Sequence, residues 1–111
     1  MTLLDKVRFV LVGTTHPGNI GASARAMKTM GLSNLHLVSP KIYPSAEATA
    51  RASGADDVLA KAVVHDTLQS ALTGCQHVFG MSARLRHLAV PLMNPREAVA
   101  SLEKYDDDTH I

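Results

Sequence analysis

The sequence predicts an α/β fold, a parallel sheet flanked by helices, on three observations. The apolar run Arg8-Phe9-Val10-Leu11-Val12 ends at Gly13, as a buried strand would. Past the Thr14-Thr15-His16-Pro17-Gly18 loop the apolar period becomes helical from Asn19, with Ile20, Ala24, Met27 and Gly31 three or four residues apart. Short strand-like and helix-like stretches then keep alternating, which implies parallel βαβ units with helices on both faces.

Each element follows from local pattern. Val10 and its neighbours suit a strand buried on both faces, and Phe9 and Phe79 both read as buried. Asn19 is a possible cap for the first helix, and Gly31 is a natural stop. Leu35-His36-Leu37-Val38 is the second strand, closed by Ser39-Pro40. An Ala-rich helix from Ser45 to Ala52 breaks at Gly54, and a short helical turn follows from Asp56 to Lys61. Val63-Val64 reads as a third strand, Thr67 to Leu72 as a helix stopped by Gly74, and His77-Val78-Phe79-Gly80 as a fourth strand. Asn94-Pro95-Arg96-Glu97 is an N-terminal helix signature, with Asn94 as cap and Pro95 in the first helical position. Thr109-His110-Ile111 looks like the opening of another buried strand, so residues 1–111 are expected to form the N-terminal part of a single domain.

Composition narrows the function classes. With 111 residues the chain has room for one domain. Eleven Lys+Arg face ten Asp+Glu, a net charge of +1, so any RNA contact must come from local clustering. The single cysteine, Cys75, excludes an internal disulfide and a Cys-based zinc set, and reads as a small packed hydrophobe. The six His, at 16, 36, 65, 77, 87 and 110, show no metal-ligand spacing, so no metal is expected. No apolar run is long enough for a bilayer, and the opening Met1-Thr2-Leu3-Leu4-Asp5-Lys6 has no long apolar core and no cleavage site, so no secretory signal, no membrane partner and a cytoplasmic location are expected.

The segment from Thr14 to Arg25 joins the first strand to the first helix. In an open α/β sheet ligands bind beyond the carboxyl ends of the strands, where this loop sits. Helix-start N–H groups favour an anion there. Gly18 and Gly21 would allow a phosphate or ribose to approach closely. Arg25 falls four residues after Gly21, on the same helix face, and could fork onto a phosphate. Asn19 could cap the helix or hold Arg25. The pattern is neither a Walker loop nor a G-x-G-x-x-G fingerprint. On spacing alone, an ordinary Asn cap beside a surface Arg accounts for it equally well. A second basic loop, Gly80-Met81-Ser82-Ala83-Arg84-Leu85-Arg86-His87, follows the expected fourth strand, and Arg84, Arg86 and His87 could meet RNA phosphates.

Asn19-x-Gly21-x-x-x-Arg25, followed by Met27-Lys28-Thr29-Met30-Gly31-Leu32, resembles the first motif of the SpoU-type RNA 2′-O-ribose methyltransferases of the SPOUT superfamily. The string from Thr14 to Leu32, with Gly54-Ala55-Asp56 and Ser82-Ala83-Arg84-x-Arg86, is similar to the TrmJ-like subgroup, and the resemblance runs from about Val7 to Glu97. It implies methylation of a tRNA ribose by S-adenosyl-L-methionine (AdoMet), at nucleotide 32 of the anticodon loop, by a homodimer. Arg25 matches the family's catalytic position, with Asn19 as its motif partner; Met81, Ser82 and Ala83 match a loop bordering the methyl-donor pocket, where the family often has Thr at the position of Met81. Gly18, Gly21, Arg84, Arg86 and His87 are the expected RNA contacts. A guanidinium has donors and no acceptor, so Arg25 is better suited to positioning the ribose and stabilising its forming alkoxide than to acting as a base. The family's AdoMet knot, with its Gly-x-Glu-x-x-Gly and Ser-Leu-Asn segments, has no counterpart in the sequence. The 111 residues alone are therefore expected to bind AdoMet weakly and to be inactive. The alternative reading is a non-catalytic α/β module that holds phosphate or RNA through the loop at 14–25.

Overall fold

The computed structural model describes residues 3–81 and 111. After a 3-10 turn at Leu3–Lys6, the chain runs β1 (Arg8–Val12), α1 (Pro17–Thr29), β2 (Asn34–Val38), α2 (Ala46–Ala52), α3 (Asp56–Ala60), β3 (Val63–His65) and α4 (Leu68–Leu72). The strands form one parallel sheet in the order β1-β2-β3. Leu11 pairs with Leu37 and Val10 with His36, so alternate residues divide between two faces.

One face carries the core. Leu35 and Leu37 pack with Ile20, Ala24 and Met27 of α1, Ala48 and Ala52 of α2, and Val58 and Leu59 of α3. The other face presents Arg8, Val10, His36 and His65 and receives α4. There Arg8 Nη1 donates to the carbonyls of Ala71, at 2.7 Å, and Thr73, at 2.9 Å. Helices thus flank the sheet on both sides, as the alternating pattern requires.

Helix ends follow local chemistry. α1 begins at Pro17, whose missing N–H costs nothing in the first turn. It ends in a Schellman motif: Gly31 N–H donates to Lys28 O at 3.1 Å and Leu32 N–H to Met27 O at 2.8 Å. Gly31 has φ +79°, a conformation that favours glycine. The Ser45 hydroxyl caps α2 by accepting from Glu47 and Ala48 N–H, and the Thr67 hydroxyl caps α4 by accepting from Ser70 N–H.

Several expectations need correction. Asn19 is not the cap of α1; His16 holds that position and Asn19 is already inside the first turn. β1 is not buried on both faces. α4 packs on β2 and β3, leaving Val12 61% exposed, and Phe9 is 39% exposed. Phe79 is half-buried. Residues 77–80 form no strand; they leave α4 as irregular backbone, with Val78 59% exposed. A short β-prone run needs a neighbouring ladder to become a strand, and none of the described strands pairs with it. The expected helix at Asn94 lies outside the described residues. Ile111 meets the edge of β1 away from β2: its N–H donates to Lys6 O at 3.0 Å, and its carbonyl accepts from Arg8 N–H. That pair of bonds has the pattern of a parallel bridge.

Candidate functional site

Arg25 lies in the second half of α1, and the helix places it on the side that meets α2. Nine residues into the helix, it is about 12 Å along the axis from Pro17, away from the carboxyl ends of the strands. The expectation of a site over the strand tips is therefore corrected. The motif's arginine stands on an exposed seam between α1 and α2.

The seam explains the two glycines. A Cβ on Gly21 would collide with the Ala48 carbonyl oxygen and would lie 2.9 Å from both the Ala48 carbonyl carbon and Arg51 Cβ. Gly21 thus admits α2 rather than a substrate. Gly18 is also buried, and a Cβ there would lie 3.1 Å from Glu47 Oε1 and 3.5 Å from Arg51 Cγ. Both glycines sit under α2 and present no open surface to RNA, so their expected role is corrected to helix packing. The helix mouth is also altered: α1 has no acidic residue of its own in its first turn, and the Glu47 carboxylate of α2 lies beside Gly18. An anion-favouring helix end meets a carboxylate of the same chain.

Arg25 and Asn19 are both exposed, but they are not brought together. Six helical residues separate them by about 9 Å along the axis and roughly 120° around it. Arg25 instead borders two open depressions. The first, of about 470 Å³, is lined by Ala22, Arg25, Ala26, Thr29, Met30 and Arg51. The second, of about 220 Å³, is lined by Arg25, Lys28, Thr29, Ser53, Gly54 and Ala55. Lys28 is engaged, at 3.0 Å from Asp57 Oδ1 and 3.1 Å from the Gly54 carbonyl. That contact holds the Asp57 carboxyl below its usual range.

Met81, expected at the methyl-donor pocket, is 83% exposed. Ser82, Ala83, Arg84, Arg86 and His87 lie outside the described residues. The described residues do not by themselves make a fitting site for AdoMet, since nothing encloses Met81 and a Cβ on Gly80 would meet open space.

A polar cluster that spacing did not reveal lies on the opposite face. His36 Nδ1 is 2.8 Å from His65 Nε2, and His65 Nδ1 is 2.7 Å from Ser70 Oγ. The two imidazoles stack with centroids 5.0 Å apart. Burial, then the Arg8 guanidinium and His65, push His36 down to about 4. The signal available was positional, one His on each of two adjacent strands, and it becomes legible only with the register. Among the described residues no third metal-ligating side chain joins them.

The described residues thus form a parallel α/β sheet with the Asn19-x-Gly21-x-x-x-Arg25 motif on α1. Residues 6–102 match the SpoU rRNA Methylase family, and the chain belongs to that family. It is 57% identical over 99 residues to the tRNA (cytidine/uridine/adenosine-2′-O-)-methyltransferase TrmJ of Pseudomonas aeruginosa, covering 89% of this chain and 38% of that protein. It is 50% identical over 108 residues to the tRNA (cytidine/uridine-2′-O-)-methyltransferase TrmJ of Cronobacter sakazakii, covering 97% and 43%. The crystal structure of TrmJ from Zymomonas mobilis superimposes with a TM-score of 0.86 at 36% identity, covering 93% of this chain and 46% of that one. The chain thus spans about two-fifths of the length of the curated relatives it matches.

Proposed function

We propose that this chain is the N-terminal part of an AdoMet-dependent tRNA 2′-O-ribose methyltransferase acting in the cytoplasm on nucleotide 32 of the anticodon loop. The observation that carries the reading is the 57% identity, over 89% of the chain, to a protein named for that chemistry. Arg25, the motif's arginine, is exposed on the α1–α2 seam and so is open to a substrate.

In this reading Arg25 engages the substrate at the α1–α2 seam, orients the ribose and steadies charge on its 2′-oxygen. AdoMet supplies the methyl group, held by parts of the protein beyond the described residues, and the complete enzyme works as a homodimer. Residues 1–111 alone bind AdoMet weakly and do not turn over. Met81 with Ser82 and Ala83 borders the donor, and Arg84, Arg86 and His87 add RNA contacts. Asn19, on another face of α1, acts apart from Arg25.

The test is methylation of total tRNA by the complete gene product, with mapping of the modified ribose. Methyl incorporation at a 2′-hydroxyl of the anticodon loop is the expected result. RNA binding without any methyl transfer would favour the non-catalytic module instead.

A further inference from the structure

The motif's arginine does not face its depression alone. Arg51, from the last turn of α2, lines the same cavity as Arg25 from α1. Both side chains are exposed, and among the described residues no carboxylate lines either depression. Lys28, the third cation on this seam, is answered by Asp57. Among the described residues, no acidic group forms an ion pair with Arg25 or Arg51. Two guanidinium groups around one open cavity repel each other, and an anion between them would turn that repulsion into attraction.

Arg51 is also held in place by the close approach of the helices. Its Cβ lies 2.9 Å from where a Cβ of Gly21 would stand, and its Cγ 3.5 Å from that of Gly18. The stem is laid on the glycine surface of α1 while the charged end stays exposed. An Arg whose stem is already packed loses less side-chain entropy on gripping a ligand. The packing that closes the surface over the two glycines therefore seats the stem of a second arginine on the rim of the depression that Arg25 lines.

We propose that Arg51 is a substrate-binding residue, which with Arg25 clamps a backbone phosphate of the RNA strand next to the reacting ribose. The forked donors of two guanidinium groups match the oxygens of a phosphodiester. This inference rests on the functional reading above.

The test uses the complete protein with wild type, Arg51→Ala, Arg51→Gln and Arg51→Lys, assayed for tRNA methylation at several salt concentrations. Arg51→Gln keeps much of the packed stem without charge, so it reports on the contact even if Arg51→Ala disturbs the helix pair. With either neutral variant the KM for tRNA should rise about ten-fold, the order expected for one lost charged phosphate contact. The salt dependence of binding should flatten by about one unit. Expected values of kcat and AdoMet affinity stay within two-fold of wild type, a split that a purely structural role would not produce. Arg51→Lys should fall between, keeping charge but losing the fork. An active wild type with Arg51→Gln matching it in KM and salt slope overturns the clamp and leaves the functional reading standing. A complete wild-type protein that methylates no tRNA ribose overturns both.

Discussion

Replacing Gly21 by alanine separates two accounts of the motif. If the glycine leaves room for a substrate, the alanine should fold well, since Ala exceeds Gly in helix propensity by about 1 kcal/mol. The structure predicts the reverse. The new Cβ would lie 2.9 Å from the Ala48 carbonyl carbon and from Arg51 Cβ, where comfortable carbon contacts are about 3.5–4.0 Å. Its nearest obstacle is helix backbone, which cannot swing aside. Relief requires moving α2 off α1 and loosening Ala24, Ala48 and Ala52, all of them 0% exposed. Overpacking of this kind costs about 1–3 kcal/mol, occasionally more. Set against the propensity gain, a backbone clash at the upper end leaves a net loss of about 2 kcal/mol, or on the order of 10 °C in Tm for a domain of this size. Gly18→Ala is the internal control. Its new methyl meets the flexible end of Glu47 at 3.1 Å, which can move away, so Tm should hold or rise slightly. Thermal unfolding of both variants by circular dichroism decides the matter. Equal or greater stability of Gly21→Ala would refute the close packing of α1 on α2.

Other expectations concern the opposite face and a helix end. His36 is pushed down to about 4 in the fold, against 6.5 for its ordinary value. The unfolded chain thus takes up the proton first. The stability linked to His36 is complete above about pH 6.5, falls as pH drops, and levels off below about pH 4. Urea midpoints measured from pH 4 to 8 should show that slope, and His36→Gln should flatten it; an unchanged slope in the variant would remove His36 as its source. Ser45→Ala deletes the hydroxyl that accepts from Glu47 and Ala48 N–H, and should lower stability by about 1 kcal/mol in chemical denaturation.

Where local chemistry decides the structure, the sequence was readable. The Gly31 stop, the β2 run and the alternation of strand and helix depend on neighbours within a few residues, and all appear as expected. Misreadings arose where tertiary contact decides. Gly18 and Gly21 look like openings for a ligand until α2 is seen filling them. His77-Val78-Phe79 has strand composition but no ladder to join. Asn19 and Arg25 look like partners in the motif, yet helical geometry turns them to different sides. Arg51 has no motif signal, because only the packing of α2 on α1 puts it on the depression that Arg25 lines.

The central claim is that the guanidinium on the α1–α2 seam serves methyl transfer rather than the fold. The most direct measurement compares complete wild-type protein with Arg25→Ala for tRNA methylation, alongside AdoMet affinity and Tm. The account predicts loss of methyl transfer by at least about a hundred-fold, with Tm and AdoMet affinity unchanged, because Arg25 is exposed and outside the core. Wild-type turnover in Arg25→Ala would contradict it.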